Sequence, residues 1–132
     1  MPKKLSATSV QYDDGIVTAT LHGLFNEQSA HDYSKKLFGL VRELNGKPFA
    51  LLADIRHVQG ATPDAFDILS EIIGKLPNMG LCAKAYVHEG LVIKGIMFQR
   101  IPKLKEMEYL FFTDCDEARD WLNNVYQQKT ER

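Results

Sequence analysis

The first part of the chain alternates apolar and polar residues with a period of two, which is the pattern of a β-strand with one buried face. Two such stretches, Leu5–Tyr12 and Ile16–Leu24, are separated by the turn sequence Asp13-Asp14-Gly15. In the second stretch Val17, Ala19 and Leu21 alternate with Thr18, Thr20 and His22. The pattern predicts an N-terminal β-hairpin whose second strand buries one face.

Three later segments change to apolar spacings of three and four residues, which are typical of amphipathic helices. The first begins at the N-cap Asn26 and ends near Asn45-Gly46. The second has Thr62 as N-cap before Pro63 and extends to about Leu76, because Pro77 cannot continue a helix. The third begins after Asp114, and its inward stripe is predicted to be Ala118, Trp121, Leu122 and Val125.

Short apolar runs between these helices predict further strands. Pro48–Ile55 is apolar almost throughout, as in a strand that is covered on both faces, and Leu81–His88 and Met107–Thr113 are similar. The resulting order is β-β-α-β-α-β-(α)-β-α, with the bracketed helix in residues 90–105. This order predicts a single α/β domain over residues 1–132, with a mixed sheet and parallel crossover connections.

Composition narrows the class of function. A net charge of −1 argues against a nucleic-acid partner, and no apolar run approaches the ~20 residues of a membrane-spanning helix. No secretory signal is visible, so we expect a cytoplasmic protein. Cys82 and Cys115 have no second ligand at zinc spacing.

The four histidines, His22, His31, His57 and His88, lie on different predicted elements. Of these four, we expect only His22 and His88 to approach each other, at one edge of the sheet. Without a motif such as H-E-x-x-H, the sequence predicts no metal site and no cofactor.

Charge is concentrated in residues 90–105, which contain four cations and no acid, whereas the remainder of the chain has a net charge of −5. Apolar residues surround these cations and would cover much of a helix's circumference, and Gly95 weakens such a helix. Two interpretations stay open: a core helix with solvated lysines, or a lid, membrane anchor or dimer contact. The second interpretation gives the contact candidates Lys94, Met97, Phe98, Arg100, Ile101 and Lys103.

A second candidate surface follows the central apolar run. Asp54, Arg56 and His57 come at the predicted carboxyl end of this strand, where open α/β sheets usually bind ligands, and Thr62 follows them. These residues are interpreted as a solvated strand end, as a contact surface for a partner, or as an acid–base pair of Asp54 and His57.

The order of elements and the ending FFTDCDEARDWL, residues 111–122, resemble the SpoIIAA-like branch of the STAS family. The resemblance covers the chain from about Val10 to Tyr126, and it implies a regulatory or ligand-binding module, similar in fold to lipid-binding Sec14-type domains. Classical members carry a phosphorylatable serine after the third strand. Here Asp54 matches the acidic position, but no Ser or Thr follows before Thr62, so the phosphorylation switch is not carried over.

Three functions are therefore considered. The first is a non-enzymatic cytoplasmic module that binds an apolar or lipid-like molecule, or a membrane surface, through residues 90–105. The second is a STAS-type regulator that binds a protein partner through Asp54, Arg56, His57 and Thr62. The third is a small enzyme that uses Asp54 and His57. A homodimer is compatible with the first two.

Overall fold

The computed structural model of the chain describes residues 6–89 and 109–130. A five-stranded sheet is formed by β1 (Ser6–Asp13), β2 (Ile16–Phe25), β3 (Phe49–Ala61), β4 (Leu81–Val87) and β5 (Tyr109–Phe112). The strands lie in sequence order across the sheet. The β1–β2 pair is antiparallel, and the three later pairs are parallel. The predicted mixed sheet with an N-terminal hairpin is confirmed.

The helices begin at the predicted caps. Helix α1 (Glu27–Glu43) follows Asn26, whose side chain accepts a hydrogen bond from the Ser29 amide. Helix α2 (Pro63–Lys75) follows Thr62, whose hydroxyl accepts one from the Ala65 amide, and a short 3-10 helix continues over Leu76–Met79. Helix α3 (Cys115–Thr130) follows Asp114, whose carboxylate accepts a hydrogen bond from the Asp116 amide.

Two apolar cores lie on opposite faces of the sheet. Helices α1 and α2 contribute to the larger core together with Leu51 and Ala53 of β3. Helix α3 packs on the other face, against Ala50 and Leu52. Strand β3 is therefore covered on both faces, as its apolar run predicts. The predicted stripe of α3 is buried except at Trp121, which is half-buried and packs against Phe112.

The turn between β1 and β2 contacts the far end of the chain. Asp14 and Gly15 adopt positive φ angles of 48° and 88°, as a tight hairpin turn requires. A Cβ atom on Gly15 would lie 2.5 Å from the Tyr126 ring of α3. Glycine is therefore needed here both for its backbone angle and for the close approach of the helix.

Strand β3 is longer than its apolar run predicts. Its pairing with β4 ends at Asp54, but its pairing with β2 continues to Ala61. We call residues 55–61 of β3 the β3 extension. Arg56 and His57 thus lie within a strand rather than in a loop after it, because parallel pairing with β2 satisfies their backbone groups.

The bracketed helix and the contact candidates Lys94, Met97, Phe98, Arg100, Ile101 and Lys103 lie outside the described residues. Within the described residues, no helix is long and apolar enough to cross a membrane.

Candidate functional site

An ion pair at the start of the β3 extension forms the centre of the candidate site. The carboxylate of Asp54, a residue that is only 6% exposed, accepts hydrogen bonds from Arg56 Nε at 2.9 Å and from Nη2 at 2.8 Å. The Arg56 amide also donates to Asp54 Oδ1, at 3.2 Å. Hydrogen bonding from Arg56 lowers the pKa of Asp54, so this carboxylate is ionised at neutral pH.

The first residue of α3 completes this cluster. The thiol of Cys115 lies 3.8 Å from Asp54 Oδ2 and is oriented to donate to it. Burial, followed by the charge of Asp54, raises the pKa of Cys115. Cys115 is therefore a neutral donor to the carboxylate rather than a thiolate nucleophile, and sequence reasoning missed this role because 61 positions separate the two residues.

His57 does not pair with Asp54. Its ring instead stacks on that of His22 in β2, with ring centroids 5.1 Å apart and planes 2° from parallel. The Asp54 carboxylate accepts its hydrogen bonds from Arg56 and Cys115 instead. Asp54 and His57 therefore do not form the oriented acid–histidine pair on which the enzyme hypothesis depends.

His22 and His88 are not neighbours in the sheet, contrary to the expectation from the sequence. β3 lies between the two strands that lead to these residues. The His88 ring instead lies edge-on to Phe111, at 5.5 Å between centroids. Among the described residues there is no group of three or more potential metal ligands.

Thr62 directly follows the β3 extension, and it takes no part in the Asp54–Arg56 ion pair. Its amide donates to the Phe25 carbonyl at 2.8 Å, and its hydroxyl caps α2. A surface cleft separates the starts of α1 and α2, and it is lined by Asn26, Glu27, Gln28, His31, Thr62 and Asp64. Thr62 thus has the structural role predicted for it as a helix cap.

A second unexpected group is Lys84, in the middle of β4. The residue is 3% exposed, and its ammonium group lies 4.6 Å from the centroid of the Tyr86 ring. Burial lowers the pKa of Lys84 to about 7. Lys84 was not identified from the sequence, although a single lysine within the apolar strand sequence LCAKAYV indicates a buried charge.

No protein-family model matches this sequence, and no curated protein matches it. Solved structures of other proteins do match this chain. One is an uncharacterised protein with a SpoIIAA-like fold from Shewanella loihica, with 18% identity and a TM-score of 0.68, covering 92% of this chain and 98% of that one. Another is an anti-sigma factor antagonist from Mycobacterium paratuberculosis, with 18% identity and a TM-score of 0.66, covering 89% and 94% of the two chains. The chain has a SpoIIAA-like fold.

Proposed function

We propose that this protein is a non-enzymatic regulatory module that binds a protein partner through the outer surface of the β3 extension and the start of α2. We call this the partner surface, and it comprises Arg56, His57, Gln59, Thr62 and Asp64. The observation that carries the proposal is the Arg56 side chain, one-third exposed, that the Asp54 carboxylate holds in place on this surface. The similarity in fold to an anti-sigma factor antagonist, a protein named for a regulatory role, supports it.

The Arg56 side chain is suited to recognition because its ion pair with Asp54 already restricts it. Less side-chain conformational entropy is therefore lost when a partner binds. Two of its five N–H groups bond to Asp54, and the side chain is 33% exposed, so donors remain for a carboxylate or carbonyl of a partner. Arginine is also enriched among residues that dominate interface energies.

The chemistry of the cluster supports binding rather than catalysis. Arg56 keeps Asp54 in its weakly basic, ionised form, while burial keeps the Cys115 thiol protonated. His57 has a histidine as its ring neighbour rather than an orienting carboxylate. None of these groups has the environment of an activated base or nucleophile.

Site-specific photo-crosslinking in cells tests the partner surface. A photoreactive amino acid at exposed Gln59 should give a discrete adduct, whereas the same group at exposed Asn124 of α3 should not. Arg56→Ala or His57→Ala, in the protein that carries the photoreactive group at position 59, should reduce the amount of adduct at least tenfold. Equal adducts at both positions, or an adduct that is unchanged by Arg56→Ala, would contradict the proposal.

The charge distribution supports a second candidate function, binding of an anionic membrane surface or lipid by residues 90–105. Four cations without an acid lie among apolar residues there, and each cation near such a surface contributes about 1 kcal/mol. In this proposal Lys94, Arg100 and Lys103 meet phosphates, and Met97, Phe98 and Ile101 supply apolar contacts.

Flotation with vesicles that contain phosphatidylserine tests the second candidate. Charge reversal at Lys94, Arg100 and Lys103 should abolish binding, while reversal at the exposed Lys35, Lys47 and Lys75 should have a smaller effect. Equal loss in both triple variants would show only a net-charge effect. Native mass spectrometry of the same preparations would also reveal a retained lipid or a homodimer.

A further inference from the structure

Two histidines that are 35 positions apart in sequence become direct neighbours in the sheet. Strands β2 and β3 pair Thr20 with Asp54, and regular continuation would place His22 opposite Arg56. A register shift instead places His22 opposite His57. The irregularity thus brings two imidazoles side by side on one face of the sheet.

The geometry of this pair leaves both rings accessible. The rings are 2° from parallel, with 5.1 Å between their centroids, and both residues are exposed. Imidazole nitrogens bind zinc at about 2.0–2.1 Å, so the two rings must tilt toward each other from their parallel arrangement to share one ion, and their exposure leaves room for that movement. Their positions on neighbouring strands hold the Cα atoms in place while the rings adjust.

We propose that His22 and His57 form a binding site for one divalent transition-metal ion of the copper, nickel and zinc class. Imidazole is a preferred ligand for these ions, whereas magnesium and calcium prefer oxygen donors. Two protein ligands leave the remaining coordination positions to water. The order of affinity is expected to place copper above nickel and zinc.

The charges around the pair do not oppose a cation as strongly as the sequence suggests. Arg56 is adjacent to His57, but its guanidinium is bonded to the Asp54 carboxylate at 2.8 Å. Glu89 also acts on the charge of Arg56. The ion pair therefore offsets the positive charge that lies next to the imidazoles.

Calorimetric titration of the full chain with CuCl₂, NiCl₂ or ZnCl₂ tests this site. The expected result is one ion per chain, with an affinity that falls at least tenfold in His22→Asn and in His57→Asn alike. His31→Asn is the matched control, since His31 is exposed on α1 and should leave the affinity unchanged. Cys82→Ser should also leave it unchanged, because the site contains no thiol.

Histidine side-chain NMR of the unmodified protein gives a second measurement. Substoichiometric Cu²⁺ should broaden the ring signals of two histidines, and the two variants should identify them as His22 and His57. Absence of binding, or binding that survives either substitution, would overturn the proposal. His57 also belongs to the partner surface, so the crosslinking experiments above are repeated with a chelator. An adduct that persists in the chelator shows that partner binding does not require the metal ion.

Discussion

At the scale of single residues, two buried charges in the sheet have opposite consequences. Asp54 has an ion-pair partner, and Arg56 lowers its pKa. Lys84 is 3% exposed and has the Tyr86 ring beside its ammonium group, and burial lowers its pKa. The first group stabilises the folded state when it is charged, and the second destabilises it when it is charged.

Replacing Lys84 with methionine should stabilise the protein most at and below pH 7. Between the folded pKa of about 7 and the unfolded value, the unfolded chain binds a proton that the folded chain does not bind. Rising pH therefore removes the cost of Lys84, and the advantage of Lys84→Met, about 1–4 kcal/mol at pH 7, should shrink toward pH 10.

Urea denaturation of both proteins at several pH values between 6.5 and 10 measures this difference. Lys35→Met, at an exposed position of α1, is the control and should show no such trend. A constant difference between wild type and Lys84→Met across this range would contradict the argument.

Asp54→Asn should destabilise the protein by about 1–3 kcal/mol at pH 7, less than for a fully buried pair because Arg56 is a third exposed. The folded pKa of Asp54 lies below the unfolded value, so its contribution is present above about pH 4 and is lost as pH falls through the folded pKa. Unfolding measured at pH 7 and pH 3 should show the difference between wild type and variant narrowing at pH 3. Asp67→Asn, at an exposed site of α2, should change stability by less than about 0.5 kcal/mol.

At the scale of elements, helix α3 and the β1–β2 turn depend on each other. Tyr126 of α3 lies against Gly15, where even a Cβ atom would approach the ring to 2.5 Å. Gly46, after α1, has a similar φ of 81° but no atom within 4 Å of an added Cβ. Substitutions at the two glycines therefore distinguish the cost of backbone strain, which both share, from the cost of a steric clash, which only Gly15 has.

Gly46→Ala should cost about 1–2 kcal/mol, because alanine disfavours the left-handed region. Gly15→Ala should cost about 1–3 kcal/mol more, because the added methyl group displaces the Tyr126 ring. Thermal unfolding of both variants gives the comparison. Tyr126→Ala removes core packing of its own, so the comparison is made within that background, where Gly15→Ala should cost no more than Gly46→Ala. Equal losses for the two glycine substitutions in the wild-type background would disprove the contact.

At the scale of the whole molecule, the sheet joins two cores. Leu51 and Leu52 are neighbours in β3 and are both fully buried, yet they belong to the cores on opposite faces. Because one strand contributes to both cores, we expect residues 6–89 and 109–130 to unfold as one cooperative unit.

Leu51→Ala and Leu52→Ala should each cost about 2–5 kcal/mol. Trp121 packs with Phe112 on the α3 side, so its fluorescence reports on that core. Leu51→Ala on the other side should nevertheless shift the fluorescence and far-UV circular dichroism transitions equally. Leu24→Ala, at a side chain that is 49% exposed, should shift both much less, and separate transitions in Leu51→Ala would argue for two units.

The sequence by itself determined the order of the described elements, the caps Asn26 and Thr62, the buried face of β2 and the two-sided burial of β3, because these features depend on local spacing and propensity. It also placed Asp54, Arg56 and His57 near one sheet edge. Which of them pair was decided only by tertiary structure. Parallel pairing extended β3 to Ala61, and the register shift placed His57 beside His22 rather than near Asp54. The approach of Cys115 to Asp54 and the burial of Lys84 likewise depend on packing between elements that are distant in sequence.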